Sequence, residues 1–93
     1  MFVGVLQVDL AIPGSFSLKD KRRVLKSLLA RVRRDFEVAA AEVADQDTWN
    51  RAGVAFACVA NERRRAESHL QRVLNALERE SDAVVEDAQI EVF

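Results

Sequence analysis

The sequence predicts a single α/β domain of order βαββαβ, and three observations carry that prediction. FVGVLQVDLAI alternates in hydropathy, SLKDKRRVLKSLLARVRR repeats its apolar residues at helical spacing, and GVAFACVA is an apolar run too short for a typical helix. Ninety-three residues close one hydrophobic core and leave no surplus for a second. Apolar residues at 49% and charged residues at 31%, with one proline and three glycines, mark a globular chain rather than a disordered one.

Each element has its own signal. From Phe2 to Ile12, the residues Phe2, Gly4, Leu6, Val8, Leu10 and Ile12 share one face, while Val3, Val5, Gln7, Asp9 and Ala11 share the other. Pro13, Gly14 and Ser15 supply turn chemistry. Ser17 with Asp20 three residues on has the form of an N-cap and an acid at the third helical position, so a helix begins there. At about 100° per residue, Leu18, Leu25, Leu29, Val32 and Phe36 form one stripe, with Leu28 at its margin, that packs on the sheet.

FEVAAAEV, from Phe36 to Val43, predicts the second strand, although its alanines have poor strand propensity. A polar loop follows, ADQDTWNR, in which Trp49 is expected as a lid on the small core. Gly53 to Ala60 reads as an inner strand. Asn61 is a good N-cap, and Ala66, Leu70, Val73, Leu74 and Leu77 recur at helical spacing up to the break at Ser81 and Asp82. The chain closes with a strand in which Val84, Ala88, Ile90 and Val92 share a face.

Right-handed crossovers make the ferredoxin-like sandwich the simplest solution for this order: a four-stranded antiparallel sheet with both helices on one face. The other face then carries Val3, Val5 and alternate residues of the third strand. A sheet apolar on both sides is usually covered on both, so a homodimer through the open face is expected.

Net charge is -1, but it is unevenly distributed. Leu18 to Arg34 holds eight basic residues against Asp20, a local charge of +7, which leaves -8 on the rest. Glu78 to Phe93 alone carries -5. Lys19, Arg23, Lys26, Arg33 and Arg34, bordered by Arg22, fall on an arc away from the apolar stripe. Like charges so spaced repel, where an ordinary exposed helix alternates Glu with Lys. Antiparallel helices would bring the end of this arc near Arg63, Arg64 and Arg65, whose charge opposes the second helix's macrodipole. The pattern points to anion recognition, with RNA backbone the first candidate.

Other chemistry has less support. His69 and Cys58 are the only residues of their kinds, and no motif joins them as a nucleophile and base. Glu42, Asp45 and Asp47 cluster without calcium-loop spacing. Gly14 precedes a helix N-terminus, but neither a Walker loop nor a dinucleotide fingerprint is present. The RNA-recognition aromatics of an open sheet and a GXXG loop are missing too, so any RNA contact should be made by helix-borne Arg and Lys. No enzymatic activity, metal or cofactor is expected. One cysteine, no charged-then-apolar leader, and apolar runs far short of the roughly 20 residues of a membrane helix read as a cytoplasmic protein.

PGSFSLKDKRRVLKSLLARVRRDF, extended by FEVAAAEV, DQDTW and the Asn61 of VANE, resembles the YlxP-like family of small bacterial proteins. The resemblance covers nearly the whole chain and implies a ferredoxin-like fold, no known enzymatic activity and a tie to RNA or ribosomes. It brings no catalytic residues: Ser17, Lys19, Asp20, Lys21 and Arg22 transfer as motif members only. The sequence departs from the usual FNVSVAEV form at Glu37, Ala39 and Ala40. Two functions follow as expectations: an RNA- or ribosome-binding accessory protein using the basic arc, or an assembly module whose basic helix docks an acidic partner.

Overall fold

Alternation in the first strand decides which way the sheet faces, and the rest of the fold is built on that choice. The computed structural model, which describes residues 1–93, places β1 at Phe2–Ala11, α1 at Leu18–Phe36, β2 at Ala39–Ala44, β3 at Arg51–Ala60, α2 at Arg63–Glu78 and β4 at Val84–Val92. The sheet order is β2-β3-β1-β4 with every neighbouring pair antiparallel. This is the ferredoxin-like arrangement expected of βαββαβ.

Leu6, Val8, Leu10 and Ile12 are buried under the helices, together with Ala52, Val54, Phe56 and Cys58 of β3. Leu25, Leu28, Leu29 and Val32 of α1 and Ala66, Leu70, Val73 and Leu77 of α2 complete the core from above. At Gly4, α2 lies close against β1. A Cβ there would lie 2.8 Å from Leu70 Cδ1 and 3.2 Å from Ala66 Cβ, so a larger residue would force Leu70 to move and crowd Ala66.

β3 starts at Arg51, two residues ahead of the Gly53 expected, and three further features differ from the sequence reading for local reasons. Phe36 ends α1 instead of opening β2, because Glu37 takes a left-handed C-cap (φ 52°) whose N–H is given to Arg33 O, and β2 starts only at Ala39. At α2 the N-cap is Glu62, not Asn61, and makes no side-chain capping bond. In β4 a bulge opposite Asp9 and Leu10 reverses the alternation, so Val85 pairs with Leu10 and packs on the core while Val84 is exposed.

The open face carries Val3, Val5, Ala55, Ala57, Ala39 and Ala41, with Val59 and Phe93 each 69% exposed at one end. Val5, Ala39, Ala41, Ala55 and Ala57 line a shallow depression of about 230 Å³. Toward the other end the face turns polar through Gln7, Asp9, Asp87 and Gln89, and Glu91 borders Val5 on the β4 side. No helix is long and apolar enough to cross a membrane.

Candidate anion-binding site

The PGSFSLKDK segment first builds a rigid corner. Ser17 Oγ accepts from the Asp20 N–H at 3.1 Å, and Asp20 Oδ2 accepts from the Phe16 N–H, one residue ahead of the N-cap, at 3.1 Å, a variant of the capping box that fixes the start of α1. The buried Ser15 hydroxyl lies within hydrogen-bond distance of the Ser17 and Trp49 carbonyls, sharing its one proton between the two. Ser15 N–H goes to Ile12 O. Two of the amides that a phosphate near Gly14 would use are therefore already engaged.

Lys21 is the residue sequence reasoning missed. Its side chain is 0% exposed, and Nζ donates to Asp45 O at 2.8 Å, Gln46 O at 3.1 Å and Arg51 O at 3.1 Å. Three carbonyls use all three ammonium protons. Glu42 Oε2, 2.9 Å from Nζ, supplies the countercharge without a hydrogen bond of its own. Asp45 presents its carbonyl from a left-handed conformation, φ 59°. Of the three acids Glu42, Asp45 and Asp47, Glu42 thus serves a lysine of this chain through its carboxylate and Asp45 through its carbonyl, and no group of three His, Cys, Asp or Glu side chains is placed to hold a metal ion. The helical signal was present: Lys21 stands four residues before Leu25 and seven before Leu28, on the buried stripe.

The remaining basic residues sort into those with partners and those without. Arg23 pairs with Asp20 at 3.2 Å, Arg31 with Glu80 at 3.1 Å, Arg34 with Asp35 at 2.9 Å and Arg65 with Glu62 at 3.8 Å. The hydrogen bond from Arg34 holds the Asp35 carboxyl below its ordinary pKa and raises that of Arg34 itself. Arg33 Nη2 donates to Ala40 O at 2.8 Å, covering a carbonyl of the edge strand β2. Arg63 Nη1 reaches Val92 O at 3.2 Å, with its guanidinium 5.5 Å from the centre of the Phe2 ring.

Lys19, Arg22, Lys26, Arg64, Arg72 and Arg79 are exposed and make no ion pair or side-chain hydrogen bond. The first three stand at i, i+3 and i+7, so they form a row on one flank of α1 spanning about 10 Å. Arg33 continues that flank toward the β2 edge. The two predicted basic clusters join only in part. The end of α1 does meet the first half of α2, where His69 Nε2 bonds Phe36 O, but Arg63 turns to the β4 side.

Trp49 is no lid on the core. It is 45% exposed and stacks on Phe16, itself 77% exposed, with ring centres 6.3 Å apart and planes at 26°. Cys58 is buried, its thiol turned to Ala66 O at 3.9 Å, and burial raises its pKa. His69 serves the α1 terminus instead, so the thiol and the imidazole have separate partners.

These features define a ferredoxin-like α/β protein with a row of free cations on its first helix. The chain belongs to the family described as protein of unknown function DUF503, which it matches over residues 3–90. It is 42% identical over 72 residues to the uncharacterized protein YlxP of Bacillus subtilis (strain 168), a match covering 77% of this chain and 78% of that one. Among solved structures it resembles the solution NMR structure of a de novo designed protein with a ferredoxin fold, at TM-score 0.53 and 12% identity, over 100% of this chain and 84% of the other. At that identity the likeness concerns the fold alone.

Proposed function

We propose that this chain is a non-catalytic accessory protein that binds RNA backbone, free or in a ribosomal particle, through the flank of α1. One observation carries the reading. Lys19, Arg22 and Lys26 lie in register on one flank with no acid beside them, while Arg23, Arg31, Arg34 and Arg65 each have a carboxylate of this chain. Phosphates spaced along a strand would relieve the mutual repulsion of that row and release counterions. Arg33 and Arg64 extend the surface, and Arg34, Arg63 and Arg65 contribute long-range field more than contact.

The test is binding of a labelled RNA, followed by anisotropy across a salt series, with cosedimentation on ribosomal particles beside it. Three phosphate contacts predict a slope of log K against log salt near about -2 for a single strand. Reversing Lys19, Arg22 and Lys26 to Glu should abolish binding in a protein that still folds. Undiminished binding by that variant would remove the reading. Preference for poly-glutamate over RNA would instead favour a module that docks an acidic protein partner.

The open sheet face suits a second copy of the chain. Its alanine floor, with Val59 and Phe93 exposed at one end, is the apolar surface that water would otherwise cover. Ala57→Glu should therefore give a monomer in light scattering. If the unsubstituted chain is already monomeric at high concentration, the pairing is wrong.

A further inference from the structure

Two large aromatic rings stand outside the core at the start of α1, and the fold has spent effort on holding them there. The Trp49 carbonyl receives the Ser15 hydroxyl, the Phe16 N–H is given to Asp20, and the Asn50 carbonyl receives the Ile12 N–H at 2.8 Å. Lys21 grips the same loop through Asp45 and Gln46. The backbone beneath both rings is thus held by polar contacts, part-buried at Ser15 and Lys21 and exposed at Asp20, while the rings stay 77% and 45% exposed. A platform fixed in this way loses little freedom when a flat ligand stacks on it.

Charge says which flat ligand. Lys19 follows Phe16 by three residues and Arg22 by six, so free cations begin in the first turn of α1, just after Phe16, and continue along the helix. The exposed acids Asp45 and Asp47 lie on the Trp49 loop and keep phosphates on the helix side. Aromatic rings beside a row of cations take bases and backbone of a strand whose bases are unpaired, because a base inside a duplex has no free face.

We infer that Phe16 and Trp49 form a stacking platform for an unpaired nucleobase, with Lys19 and Arg22 on the adjoining phosphates, so that the ligand is single-stranded RNA. The inference rests on the RNA reading above and narrows it. Trp49 is the sole tryptophan and the chain has no tyrosine, so its fluorescence reports on the platform alone.

The experiment titrates the full chain with a fluorophore-labelled single-stranded RNA decamer and with the same decamer annealed to its complement, reading Trp49 emission and RNA anisotropy together. The single strand should quench Trp49 and the duplex should not. Phe16→Ser should weaken single-strand binding by about 5- to 150-fold, the range for one stacked base, with duplex binding unchanged. Phe16→Leu, which keeps apolar volume but has no aromatic face, should behave alike and guards against a folding defect, with thermal melting as control. Anisotropy that rises without any change in Trp49 emission, or Phe16 variants that bind normally, would overturn the platform and leave backbone binding standing. Poly-glutamate quenching Trp49 as strongly as RNA would overturn it in favour of an acidic peptide. Silence in both signals would remove the RNA reading as well.

Discussion

Lys19 and Lys21 are two residues apart on α1, with the same side chain and opposite fates. Lys21 is enclosed, with three carbonyls and the Glu42 carboxylate round its ammonium. Lys19 reaches into solvent with Arg22 and Lys26 and meets nothing in the chain. The difference shows that a dense basic motif is no measure of a binding surface. Part of the charge in SLKDKRR serves as internal architecture, tying the β2–β3 loop to the helix, and only the remainder is available to a partner.

Breaking the enclosed member should have the largest effect. Lys21→Met leaves three carbonyls without their donor and a carboxylate without its countercharge, and should cost about 3–5 kcal/mol in a urea melt. Lys19→Met, the matched control, should stay within about 0.5 kcal/mol. Adding Glu42→Leu to Lys21→Met sharpens the point. If the carbonyl bonds dominate, the second change restores little; full recovery would mean that the ion pair is what matters. Glu42→Gln alone, at a side chain 21% exposed, should cost less, about 1–3 kcal/mol.

Next in size is Ser15→Ala, which removes the buried hydroxyl shared between Ser17 O and Trp49 O. About 1–2 kcal/mol should be lost, and Trp49 emission should shift as the loop loosens. Smallest in stability is the reversal of Lys19, Arg22 and Lys26 on the free flank, where the unfolding midpoint should barely move although RNA binding disappears. Cys58 gives a check on the core: burial keeps its thiol protonated at neutral pH, so alkylation should be slow in the folded chain and fast in urea.

Much of the fold was legible because its signals are local. The alternation of Phe2 to Ile12, the Ser17 and Asp20 cap and the Leu25, Leu29, Val32 stripe all predict what the structure contains. The Phe36 error arose because a helix-ending residue and a strand-starting one look alike in an alanine-rich stretch, and only the left-handed turn at Glu37 separates them. The Val84 error has a similar origin. A bulge inserts one residue against a partner strand, so its effect on facing cannot be read from one strand alone.

The site was legible in outline. That the basic charge gathers on α1 is plain from residues Leu18 to Arg34, and so is the position of Lys19, Arg22 and Lys26 on one flank. Which cations are free was not, because Arg31 finds Glu80 and Arg33 finds Ala40 O across long or bent paths.

By itself, the sequence determined the element order, the core faces of β1, α1 and α2, and the helix that carries the charge, since each follows from spacing along the chain. The tertiary structure alone decided that Lys21 is interior, that Phe16 and Trp49 meet outside the core, and that Arg63 turns away from α1. Those outcomes depend on contacts between residues 24, 25 and 30 positions apart for Lys21, and 29 apart for Arg63. Such pairings exist only once the sheet has set the loop between β2 and β3 against the start of α1, and β4 beside the start of α2.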